Sequence, residues 1–156
     1  MGEWLTRATI WIAMGLWCGA MVMPAGKALA VKWLWTVALV VYGAHILLAY
    51  QHFYQWSHQM AWEATAADTA ATVGFDSGVG LLVNFVFALI LLVDVVIPWR
   101  TGRRRGAAWI DGLILFMILN GAIVFGEGAV RIYGIFLLAL TGLAVASRRI
   151  KSRGSS

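Results

Sequence analysis

The chain has 156 residues, 62% of them apolar and only 12% charged, with a formal net charge of +5. That charged fraction is about half of what a soluble domain carries, and a water-soluble fold of this size could not hide so much apolar surface, so a bilayer must solvate most of it. The basic residues sit in short clusters beside apolar runs, so the positive balance reads as membrane topology and argues against nucleic acid as a partner.

In chain order, five apolar segments follow one another, at about 4–23, 31–51, 78–99, 109–126 and 130–147. A helix needs about 20 residues to cross a ~30 Å hydrocarbon core, which the second and third segments supply and the first nearly supplies. The first ends at "MPAGK", where Pro24 and Gly26 make a turn. "ALA" at 28–30 resembles a signal-peptide cleavage site, but Glu3 weakens the basic start, so the segment reads as a retained span. The lone Cys18, in "GLWCGAM", excludes an intramolecular disulfide and reads as a small packing residue.

After the second span comes "AYQHFYQWSHQMAWEATAADTAATVGFDSG", residues 49–78, the one long stretch that is neither apolar nor basic. Between His45 and Val73 it contains no Pro or Gly, which predicts that the second helix runs on beyond the lipid as an outer helical cap over 52–73, stopping at Gly74. On such a helix His45, His52, Trp56, Gln59 and Glu63 fall near one face, and His58, Trp62, Thr65, Thr69 and Thr72 near a second.

The last two segments are shorter. "GEGAVR" between them predicts a tight helical hairpin, with a single re-entrant arrangement as the alternative. The sequence thus implies an all-α helical integral membrane bundle of about five spans in one domain, 1–147, followed by a basic tail, 148–156. With "RTGRRRG" and the tail inside, all but Arg7 and Arg131 of the twelve Lys and Arg face the cytoplasm. This asymmetry predicts an outer N-terminus and an inner C-terminus.

Several residue groups invite chemistry. His45, His52, His58 and Glu63 are metal or haem candidates by ligand type. Spacings of seven and eleven residues put them ~10 and ~16 Å apart along a straight helix, so any ligand set needs a second helix. The chain carries no zinc-type cysteine spacing, phosphate loop or nucleophile elbow, and it firmly implies no cofactor.

His45, Asn84 and Asn120 each lie about six residues inside the outer end of a predicted span, which places them ~9 Å deep in one polar layer. Such groups seldom face lipid, so they either fix helix packing or line a small pocket. Near the inner face, Asp94 and Asp111 are expected to pair with Arg100 and Arg103. Trp4, Trp33, Trp35, Trp99 and Trp109 read as interfacial anchors. Gly78, Gly80, Gly112, Gly121 and Gly126 read as sites of close helix approach.

Residues 52–96 resemble a group of uncharacterised small bacterial membrane proteins, through Trp56, Ser57, His58, Thr65, Ala66, Thr69, Gly78, Gly80, Val83 and Asn84. The resemblance implies a bacterial integral membrane protein, for which the charge asymmetry predicts the inner membrane, and carries no activity and no functional residue. Three readings of function follow. The leading one is a non-enzymatic accessory or scaffolding component, binding lipid, a partner protein or a small apolar ligand at its outer face. The second is a metal- or haem-binding redox protein using His45, His52 or His58. The third is a small oligomeric transporter built on the His45, Asn84 and Asn120 layer.

Overall fold

The computed structural model describes residues 2–24, 26–102 and 108–153, with side chains described as far as 144, Ala108 excepted. Among the described residues every regular element is a helix. Helix α1 covers Gly2–Val22, α2 Ala28–His52, α3 His58–Val73, α4 Val79–Thr101 and α5 Ala108–Ile118. A π-helical segment, Leu119–Val124, continues α5, and α6 covers Gly128–Arg153. Three of these, α1, α2 and α4, are long and apolar enough to cross a membrane, while Trp109–Val124 and Gly128–Ala144 are shorter apolar helices.

Helix α1 is the axis of the bundle. It packs along α2 on one side and against α6 and α5 on another. Ala13, Met14, Trp17, Cys18, Ala20 and Met21 are all buried. Small residues at 13, 18 and 20 let the neighbouring backbones come close, the usual way to gain packing where lipid supplies no hydrophobic drive between helices. Trp17 meets Tyr42 of α2 and Phe87 of α4, with ring centroids 5.4 and 5.8 Å away in edge-to-face arrangements. On the other flank Tyr133 of α6 stacks on Trp11 at 5.8 Å and donates its hydroxyl to the Trp11 carbonyl at 3.0 Å.

Helix α4 packs against α2 and α3 and adds Phe87, Leu91 and Val95 to this core. Leu81, Phe87, Leu91, Val95 and Pro98 form its buried stripe. Its other flank, from Val79 through Leu82, Val86, Leu89 and Val93 to Ile97, is an exposed apolar surface of the kind a bilayer covers. Helix α6 returns beside the π segment so closely that a Cβ on Gly134 would stand 2.7 Å from the Ala122 methyl. The reversal at Phe125–Glu127 ends on Gly128 with a φ of +54°, in keeping with the hairpin expected from "GEGAVR".

The continuous second helix is not observed. Helix α2 ends at His52, and the backbone turns through 53–57 with Gln55 at φ +49° and Trp56 at φ +62°. Ser57 then starts α3 as its N-cap, its hydroxyl accepting from the Met60 amide at 3.2 Å. The absence of Pro and Gly misleads here because a good N-cap and tertiary packing outweigh the cost of left-handed backbone at two ordinary residues. Folding back lets Ala61, Thr65, Ala66 and Thr69, the small-residue face of α3, meet the start of α4. The hydroxyls on that face bond within α3 itself, Thr65 to the Ala61 carbonyl and Thr69 to the Thr65 carbonyl, so no polar group is stranded there.

Two smaller expectations also change. Trp35 is buried to 1% exposure, whereas Trp4, Trp33, Trp99 and Trp109 are exposed. Two positions turn a helix by about 200°, so Trp33 and Trp35 cannot both face lipid. Gly112 and Gly121 have open space where a Cβ would go, whereas Gly78, Gly80 and Gly126 are crowded as expected, and Gly2, Gly15 and Gly134 are crowded as well.

Candidate functional site

The three histidines diverge. His45, half-buried in α2, places Nδ1 2.8 Å from the Thr6 carbonyl oxygen of α1. Its ring stacks beside Tyr42 with centroids 6.2 Å apart. His52, at the last position of α2, occupies the space that a Cβ on Gly2 would need. His58, at the first position of α3, lies with Nδ1 3.0 Å from the Tyr50 hydroxyl and its ring 6.2 Å from that of Phe85. Because the chain breaks at 53–57, the common face of His45, His52, Trp56, Gln59 and Glu63 does not form.

Within α3, Gln59 Nε2 donates to Glu63 Oε1 at 2.8 Å, one helical turn apart. Trp56 is 61% exposed and stands beside Tyr50, with centroids 6.4 Å apart. Among the described residues no group of three or more His, Cys, Asp or Glu side chains could hold a metal ion. The polar layer is not joined by hydrogen bonds to His45, whose bond goes to the α1 backbone. Asn84 is exposed on α4, and Asn120 is half-buried in the π segment, where its carbonyl accepts from the Phe125 amide at 3.0 Å.

What residues 49–80 build instead is a clamp on α4. Tyr50 from α2, His58 from α3 and Phe85 from α4 meet at one end of α3, with Tyr50 and Phe85 centroids 6.2 Å apart. One turn further along α3, Trp62 lies on Gly78, and a Cβ at Gly80 would stand 3.2 Å from the Thr65 methyl. Gly74, at φ +85°, closes α3 with its amide bonded to the Ala70 carbonyl. Tyr54, in the turn before α3, is partly covered. Burial first, then the negative charges of Asp68 and Tyr50, push its phenol above the ordinary value of 10.0. Sequence reasoning missed Tyr50, Phe85, Thr6 and Gly2, since none of them stands out from the apolar runs around it.

The opposite end of the bundle holds a second group. Lys32, half-buried near the start of α2, donates from Nζ to the Pro98 carbonyl oxygen of α4 at 3.0 Å, with its nitrogen 5.5 Å from the centroid of the Trp99 ring. Trp99 is fixed in turn. Its indole Nε1 donates to the Thr36 hydroxyl at 2.9 Å, that hydroxyl donates to the Lys32 carbonyl at 2.8 Å, and Trp33 meets the ring edge-on at 5.1 Å. Lys32, Trp35, Asp94, Val95, Pro98 and Trp99 line a small open cleft between α2 and α4.

Of the expected inner-face pairs, Asp94 lies in this cleft and Asp111 in the first turn of α5, where its charge suits the helix dipole. Each is engaged with another group. Arg100 is exposed in the last turn of α4, and Arg103 lies outside the described residues. Lys32 carried only a topological meaning in the sequence; its spacing of four from Thr36 and the Pro98-Trp99 pair are the signals that could have marked it. No protein-family model, no curated protein and no solved structure matches this chain.

Proposed function

We propose that the chain is a non-enzymatic accessory protein of a bacterial cytoplasmic membrane, with five spans, an outer N-terminus and an inner C-terminus, whose α3 cap docks a partner protein at the outer face. One observation carries this reading. A helix of small and polar residues is pinned to the bundle along its first two turns, by the Tyr50–His58 bond and by Trp62 on Gly78, while Phe53, Trp56, Met60 and Phe75 around it stay 39%, 61%, 40% and 60% exposed. Rigidly held aromatic and methionine side chains at a polar rim are the composition of protein interfaces. The short apolar hairpin of α5, the π segment and α6 supports two further spans, and the clustering of basic residues supports the orientation.

A photo-crosslinking residue placed at Met60 in intact cells of the source organism tests the docking. A discrete protein adduct is expected from Met60 and none from Val40, which is 66% exposed on the flank of α2. Lipid adducts alone at Met60, or the same adduct from both positions, would refute the reading. Orientation is tested with single cysteines in a Cys18→Ala background. Ala67→Cys, on the exposed side of α3, should label from outside intact cells and Thr101→Cys should not.

A further inference from the structure

We propose that the Lys32 cleft binds the headgroup phosphate of an anionic phospholipid of the phosphatidylglycerol type. A lysine near a membrane surface ordinarily stretches its ammonium out to water. Lys32 instead lies half-buried against α4, with Nζ on the Pro98 carbonyl at 3.0 Å and beside the Trp99 ring at 5.5 Å. The position is rigid because both neighbours are themselves held. The Pro98 carbonyl also receives the Gly102 amide at 3.1 Å, and the Trp99 indole is tied through Thr36 back to the Lys32 carbonyl.

An ammonium has three N–H donors, and the Pro98 carbonyl takes one. The other two have no acceptor among the described residues, and Lys32 lines the cleft, which is partly open to its surroundings. A phosphate oxygen is the acceptor whose charge best matches a fixed point cation. Asp94 in the same cleft is engaged with another group, so its carboxylate does not stand as a bare competitor for that ligand.

The surroundings favour a lipid over a free phosphate. Trp33 and Trp99, 56% and 41% exposed, flank the lysine as rings do at headgroup level. Lys27 and Arg100 are exposed at the same end of the bundle. Val37 of α2 with Val93 and Ile97 of α4 continue the surface toward the membrane interior as exposed apolar side chains, against which an acyl chain would lie. A choline headgroup would bring a bulky cation to the same place, which sets the expected selectivity.

The test is a titration of delipidated protein in detergent with short-chain phosphatidylglycerol, phosphatidylcholine or inorganic phosphate, with bound species counted by native mass spectrometry. Lys32→Met should weaken phosphatidylglycerol binding at least about tenfold. Lys27→Met, removing an exposed charge at the same end, should cost no more than about fivefold, the effect of ~1 kcal/mol per basic residue near a surface. Thr36→Val keeps the lysine but frees the Trp99 indole, and an intermediate loss is expected; it serves if Lys32→Met does not fold. Equal losses from Lys27→Met and Lys32→Met, no loss from either Lys32→Met or Thr36→Val, or equal affinity for phosphatidylcholine would overturn the site. Displacement by inorganic phosphate at equal concentration would make the ligand a free anion and overturn the lipid assignment.

Discussion

His45 Nδ1 and the Thr6 carbonyl oxygen lie 2.8 Å apart and join α2 to α1 at the end of the bundle where α1 begins. The Thr6 carbonyl also accepts the Thr9 hydroxyl at 2.8 Å, so removing the imidazole leaves no orphaned acceptor. His45→Leu should therefore cost only about 0.6 to 1.7 kcal/mol, the range of interhelical hydrogen bonds in membranes. Reversible unfolding in mixed micelles measures it. A loss above about 3 kcal/mol would show that His45 supports more than this contact.

The left-handed backbone at Gln55 and Trp56 gives a prediction with opposite signs for two substitutions. Gln55→Gly is expected to be neutral or stabilising by up to about 1 kcal/mol, since glycine relieves the strain but loosens the unfolded chain. Gln55→Val should destabilise by about 1 to 2 kcal/mol, because a β-branched residue tolerates φ of +49° poorly. Amide exchange in α3 reports both. Identical protection in the two variants would mean that the turn is not left-handed.

Glycines divide into two classes by what surrounds them. Gly78→Ala drives a methyl into the Trp62 indole and should loosen α3, costing about 1 to 3 kcal/mol and exposing 74–77 to protease. Gly112→Ala meets open space inside a helix and should gain up to about 1 kcal/mol. Limited proteolysis of the two proteins side by side checks the contrast, and equal cleavage would count against the docked position of α3.

Thr141 is fully buried in α6, and the group beside its hydroxyl is the Cys18 thiol of α1, a weak hydrogen-bond partner. Thr141→Val keeps the shape and removes a weakly paired polar group, so stability should hold or rise by up to about 1 kcal/mol. A fall of that size in the thermal midpoint series would instead reveal a buried water or another acceptor at this hydroxyl.

Tyr54 predicts alkaline sensitivity confined to the cap. Its folded pKa is raised, so its contribution is fully present below the ordinary phenol value of 10.0 and is lost as pH rises through the higher folded value. Asp68→Asn removes one of the charges that raise it and should shift the ultraviolet phenolate titration to lower pH. An unshifted titration would place Asp68 too far away to matter.

Much of the helical frame was legible because apolar runs bounded by Pro24, Gly26, Gly102 and Gly128 mark helices whatever their neighbours do. The break at 53–57 was not, because left-handed backbone at Gln55 and Trp56 is selected by how Ala61 and Thr65 pack on α4, and its one local sign, the capping residue Ser57, does not by itself end a helix. The histidines misled for a related reason. His45 chose a backbone carbonyl, and every residue has one, so no side-chain pattern could point to Thr6. Lys32 was visible as a charge, but its bond to Pro98 spans 66 positions and exists only once α4 lies beside α2.

The tie between Tyr133 and Trp11 spans 122 positions, so α1, although synthesised well before α6, is among the last helices to be fully enclosed. At translation rates of about 5 to 20 residues per second, roughly 6 to 25 s pass between the two residues. During that interval lipid or an insertion factor must shelter the face of α1 that carries Trp11 and Cys18. A ribosome stalled before Tyr133 should hold a nascent chain whose Cys18 still reacts with a membrane-permeant thiol reagent, and release of the full chain should end that reactivity.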